Sequence, residues 1–65
     1  MQDAHRLAAE LGAVILVYDR SVTAVAPAGY TWRNGQNALT VANLDYDHTW
    51  SALVEQMRGG LCEAD

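Results

Sequence analysis

Residues 13–18 read Ala-Val-Ile-Leu-Val-Tyr, six apolar positions in a row within a chain of only 65 residues. A strand points successive side chains to opposite faces. An unbroken apolar run rich in β-branched residues therefore predicts a central strand that is apolar on both sides. Apolar surface left in water costs roughly 25 cal/mol per Å², so each face needs a cover. A chain this short hides only about 60% of its unfolded surface, and covering material is scarce. Three covers are available: one helix per face, a second copy of the chain, or a foreign protein. Self-association is favoured over a foreign cover, because identical copies are always at hand. Small domains otherwise rely on disulfides or a metal, and Cys62 is the sole cysteine, which excludes a disulfide within the chain.

The remaining elements follow from periodicity and punctuation. Asp3 is placed to cap a first helix; Ala4, Leu7, Ala8 and Leu11 repeat at helical spacing, and Gly12 supplies a left-handed stop. After the apolar run, Asp19-Arg20-Ser21 gives a turn and residues 22–26 return beside the first strand, with the loop length and register left open. Pro27-Ala28-Gly29 is a strand end, bend or bulge. Asn34-Gly35 between residues 30–33 and 36–41 predicts a hairpin closed by a type I′ turn. A two-residue loop would set Trp32 opposite Asn37 and Tyr30 opposite Leu39, with Tyr30, Trp32, Leu39 and Val41 on one face. Asp45 or Asp47 starts a second helix whose stripe is Trp50, Leu53, Val54, Met57 and Leu61. Gly59-Gly60 ends it, and residues 61–65 read as a loose tail. The expected fold is α+β: one domain over residues 1–65, with a small antiparallel sheet of about four strands in two hairpins. An N-terminal and a C-terminal helix flank that sheet.

No constellation of reactive residues stands out. Asp45-Tyr46-Asp47-His48 is the densest group of ligand-type side chains. Read as a calcium loop from Asp45, it has Trp50 where glycine is needed and Gln56 where a bidentate glutamate is needed. Capping and the helix dipole account for its aspartates, and no paired spacing supports a transition-metal site. Cys62 sits beyond a helix C-terminus, where the dipole disfavours a thiolate. Gly59-Gly60 follows a helix, the wrong end for phosphate. The chain is therefore expected to be non-catalytic and to carry no cofactor or metal.

Charge is more informative. The chain has four arginines, no lysine and eight acidic residues, a net charge of −4. From Met1 to Asn43, Asp3, Glu10 and Asp19 balance Arg6, Arg20 and Arg33. From Leu44 onward, Asp45, Asp47, Glu55, Glu63 and Asp65 face Arg58 alone, so five minus one gives the whole −4. That half is either a solvated face that keeps the protein soluble or a patch that steers it to a basic surface. Tyr30 and Trp32 could stack nucleobases, but an acidic chain lacks the basic surround that holds a nucleic-acid backbone. No direct nucleic-acid contact is expected. Both aromatics are instead core residues or part of a face for a partner or a second copy.

Met1-Gln2-Asp3 lacks the basic start of a secretory leader, and residues 13–18 are too few to span a bilayer. With one free cysteine, the expectation is a cytoplasmic protein that does not engage membranes. The leading functional expectation is an inhibitor that docks Asp45, Asp47, Glu55, Glu63 and Asp65 on a basic, nucleic-acid-binding surface of a host-defence or regulatory complex. In size and charge the chain is similar to phage-encoded inhibitors of host defence, anti-CRISPR proteins among them; no residue motif carries that likeness. The alternative is a homo-oligomeric regulatory module of antitoxin type, without a DNA-binding segment of its own.

Overall fold

The computed structural model of the protein describes residues 2–64. Its elements run α1 (Gln2–Leu11), β1 (Val14–Val17), β2 (Ser21–Val25), β3 (Tyr30–Trp32), β4 (Ala38–Ala42), α2 (Tyr46–Met57) and β5 (Leu61–Glu63). The α+β class and the helix–strands–helix order match expectation, with a fifth strand added. A three-stranded antiparallel sheet has the order β1-β2-β4, and β3 pairs with β5 in a separate two-stranded sheet. Among the described residues no helix is long and apolar enough to cross a membrane.

Asp3 falls inside the first turn of α1, where its carboxylate still faces the positive helix end. Gly12 closes α1 with φ +75°, a conformation that costs an L side chain but not glycine. Its N–H donates to the Ala9 carbonyl, and the Ala13 N–H reaches back to Ala8 at 2.8 Å. These two bonds satisfy carbonyls that the helix end would otherwise orphan, and they deliver the chain directly into β1.

The first hairpin has a two-residue loop, Asp19-Arg20, closed by the Tyr18 N–H on the Ser21 carbonyl at 2.8 Å. Its register pairs Val17 with Val22 and Val14 with Val25. The second hairpin departs from expectation. Asn34 does not take the positive φ a type I′ turn requires; only Gly35 does, at +83°. The Asn34 Oδ1 accepts from the Gln36 N–H at 2.9 Å, a local bond typical of asparagine in turns. The Trp32 carbonyl accepts from Gly35, and the Trp32 N–H donates to Gln36, both at 2.8 Å. The loop is thus Arg33-Asn34-Gly35, a three-residue turn with a glycine bulge, and Trp32 lies opposite Gln36 instead of Asn37.

That one-residue shift separates the strands. β4 joins β2 over five pairs, from Ser21 with Ala42 to Val25 with Ala38. β3 turns away to β5, with Tyr30 opposite Glu63 and Trp32 opposite Leu61, so the expected loose tail is a strand. Asn37 holds the parting point: its Nδ2 donates to the carbonyls of Ala26 and Tyr30, each at 3.1 Å.

Both helices cover the same side of the sheet. Ala4 and Ala8 of α1, Leu53 and Met57 of α2, and Val22, Ala24, Leu39 and Val41 of the sheet form one buried cluster with Ala26 and Trp32. The α2 stripe is turned from the expected one. Thr49, Leu53 and Met57 are buried, while Trp50 and Val54 are half-buried at its flank. The Thr49 hydroxyl accepts from the Leu44 N–H at 2.8 Å, which removes the penalty for burying it. Trp32 is fully buried, and its indole N–H donates to the Ala24 carbonyl at 2.9 Å.

Candidate functional site

With both helices on one side, no element among the described residues covers the opposite face of the sheet. Val14 and Leu16 of β1, Thr23 and Val25 of β2, and Ala38, Thr40 and Ala42 of β4 point that way, as the pairing register dictates. Val14 is 57% and Leu16 40% exposed, and the β4 residues are exposed as well. The hydroxyls of Thr23 and Thr40 hydrogen-bond to each other at 3.0 Å across this face.

β1 was expected to be central and is instead an edge. Among the described residues it pairs with β2 alone. Antiparallel pairs alternate between hydrogen-bonded and non-bonded. The Tyr18–Ser21 bond therefore sets Tyr18, Leu16 and Val14 as the residues whose backbone faces β2. Ile15 and Val17 turn their N–H and C=O groups to the free side, and no backbone or side-chain partner meets them among the described residues. Val17 is 59% and Tyr18 54% exposed. Natural edge strands are usually blunted by charge, proline or a bulge, and residues 13–18 contain none of these. The edge is ordered at both ends. Ala13 is tied to α1 as described, and the Asn43 Nδ2 donates to the Tyr18 carbonyl at 2.7 Å.

The acidic residues lie elsewhere. Asp45 is the N-cap of α2, its carboxylate accepting from the His48 N–H at 2.9 Å and paired with the His48 Nδ1. Asp47 is exposed in the first turn, and Glu55 is exposed two turns further along α2. Glu63 is exposed on β5, and Asp65 lies outside the described residues. A groove of about 480 Å³ between the helices is lined by Asp3, Trp50, Ser51, Val54, Glu55 and Arg58. Asp3 of α1 thus shares a groove with Glu55 and Arg58 of the second helix and its C-cap, which sequence spacing does not suggest. The His5 ring stacks obliquely on Trp50 at 5.5 Å. Among the described residues no three His, Cys, Asp or Glu side chains converge as metal ligands. Cys62 is exposed on β5 opposite Thr31.

Of the two aromatics expected on a sheet face, Tyr30 is 38% exposed and Trp32 is fully buried. Trp32 shares the core with Leu39 and Val41, so its ring cannot meet another molecule while the fold is intact.

The Asp45–His48 pair titrates in a defined window. The His48 N–H and ring hold the Asp45 carboxyl below its ordinary value of 3.8, and the Asp45 carboxylate raises the His48 imidazole above 6.5. A lowered carboxyl contributes stability above its unfolded pKa and loses it as pH falls through the folded one. A raised imidazole contributes below 6.5 and loses it as pH rises through its folded value. The pair therefore helps most between about pH 4 and 6.5. Asp45→Asn keeps a good cap but removes the charge. Melting temperatures at pH 5.5 and 8.5 should differ less in that variant than in the wild type, by a small margin because both groups are exposed; an equal difference in the two proteins contradicts the pairing.

Compared with known proteins, the chain matches no family model, no curated protein and no solved structure.

Proposed function

We propose that this chain is a non-catalytic protein-binding module whose working surface is the free edge of β1 and the bare sheet face beside it. One observation carries the reading: Ile15 and Val17 hold unpaired backbone groups at an edge that has no charge and exposes Val14, Leu16, Val17 and Tyr18. An added strand would satisfy those groups and cover the apolar side chains at once, which is how sheet-edge recognition works. The test is Val17→Pro. Proline at 17 deletes an N–H that points away from β2, so the β1–β2 ladder survives. With the chain as bait in cell extract, partners held by the edge should fall at least tenfold in recovery with this variant. Unchanged recovery overturns the reading.

A second reading is favoured by the charge of α2 and its flanks. There Asp45, Asp47, Glu55 and Glu63 dock on a basic, nucleic-acid-binding surface, and the chain acts in the cytoplasm as an inhibitor of anti-CRISPR type. Its support is the uncompensated −4 of residues 44–65 and the second carboxylate, Asp3, at the groove that Glu55 lines. Such binding should weaken steeply between 0.05 and 0.5 M salt, since exposed charges are screened over about 10 Å at 0.1 M. It should also respond to Asp47→Asn with Glu55→Gln and ignore Val17→Pro. Edge-held partners should behave in the opposite way.

A further inference from the structure

We infer that the strand completing the β1 edge is β1 of a second copy, paired antiparallel about a twofold axis through Leu16; the inference rests on the edge reading above. In that register residue 15 of one copy meets 17 of the other, and 17 meets 15. Both free N–H groups and both free C=O groups of each strand are then paired, giving four bonds across the interface. Neighbouring twofold registers do less. An axis through Ile15 brings Val17 against Ala13, whose N–H is already committed to Ala8. An axis through Val17 brings Ile15 against Asp19, which sits in the hairpin loop.

The side chains agree with the same register. Leu16 meets its own copy on the bare face, in a non-bonded pair where strands bring side chains closest. Val14 of each copy meets Tyr18 of the other. Six exposed apolar side chains thus cover one another, and two three-stranded sheets become one of six strands. At both ends the hairpin loop brings a cation, Arg20, alongside Asp19. Beyond the paired strands, the Asp19-Arg20 loop of one copy comes to the end of the ladder nearest Gly12 of the other, at the C-terminus of its α1. That helix end has no basic residue in its last turn and carries Glu10, so its carbonyls and carboxylate lack a cation. Arg20 is exposed and forms no ion pair among the described residues. It supplies that cation from the partner.

Four backbone bonds and six side chains make a small interface, so half-dimerisation is expected at about 1–100 µM. Mass is measured by sedimentation across that range, for the wild type, Val17→Pro, Leu16→Lys and Arg20→Glu. Circular dichroism and thermal melting confirm that each variant is folded. The expected result is a dimer whose dissociation constant rises at least tenfold with Val17→Pro or Leu16→Lys and severalfold with Arg20→Glu. The register has its own readout in a Cys62→Ser background. Leu16→Cys should cross-link to its copy under mild oxidation, because Cα atoms in such a pair lie within disulfide range. Thr40→Cys, on the same face but far from the axis, should not. A dimer in which Thr40→Cys cross-links as fast as Leu16→Cys is joined face to face, and overturns the register. A monomer throughout the range overturns self-pairing while leaving the edge reading intact, since that reading is judged by capture of foreign partners with and without Val17→Pro.

Discussion

Replacing Trp32 by alanine is expected to remove most of the stability of the fold. A chain of 65 residues has a reserve of roughly 3–10 kcal/mol, and truncating a buried tryptophan costs about 3–5 kcal/mol. Trp32 is fully buried, the largest such side chain in the core, and it is anchored through its indole N–H to the central strand at Ala24. It also sits where β3, β4 and β5 meet, so its removal empties the junction of the two sheets. Urea unfolding should show the midpoint of Trp32→Ala falling by more than half, with native near-ultraviolet dichroism lost or nearly so. Trp32→Phe keeps the ring volume in part and loses the hydrogen bond, at about 1–2 kcal/mol, and should stay folded. A Trp32→Ala protein with the wild-type midpoint contradicts the core placement.

Ending the chain at Gly60 is expected to have the next largest effect. The deletion removes β5, the ladder partner of β3, together with the Ala64 N–H bond to the Gly29 carbonyl at 2.8 Å. It also strips Leu61 from the core, where it packs half-buried beside the cluster. Partial burial of a leucine is worth about 1–2 kcal/mol, and the lost ladder bonds about 0.5–1.5 kcal/mol each. A total near 3 kcal/mol corresponds to a melting temperature lower by about 12–24 °C in a domain of this size. An unchanged melting temperature means that residues 61–64 are the loose tail the sequence suggested and that β3 stands without them.

The two helices, the first hairpin and the α+β class were legible because their signals are local. Asp45 caps, Gly12 stops, and the apolar spacing of α1 need no knowledge of distant residues. The second hairpin was misread because Asn34 makes a side-chain bond to Gln36 that favours a three-residue turn over the two-residue one. The apolar alternation of β4 then matched β2 better than it matched β3. β5 was hidden by length: three residues after two glycines carry no period. The position of β1 is the largest departure from the sequence pattern. An unbroken apolar run is the usual mark of a central strand, and strand order is a non-local property that no window of sequence contains. The shortage of cover inferred from that run survives the correction, but it applies to an edge and an open face and not to a doubly packed strand. Among the candidate site residues, the acids of α2 are legible as a charge run, but the groove that Asp3 shares with Glu55 is not. For Trp32 the sequence leaves core and interface open, and the structure places it in the core.

Amide hydrogen exchange, measured residue by residue in dilute protein, distinguishes an unprotected β1 edge from a covered one. Alternation is the predicted result: the Val14 and Leu16 amides, bonded to β2, exchange slowly, while those of Ile15 and Val17 exchange at nearly the rate of an open chain. Raising the concentration should slow Ile15 and Val17 selectively. Four amides equally slow in dilute protein would mean that the edge is already covered within one chain, contradicting an unprotected β1.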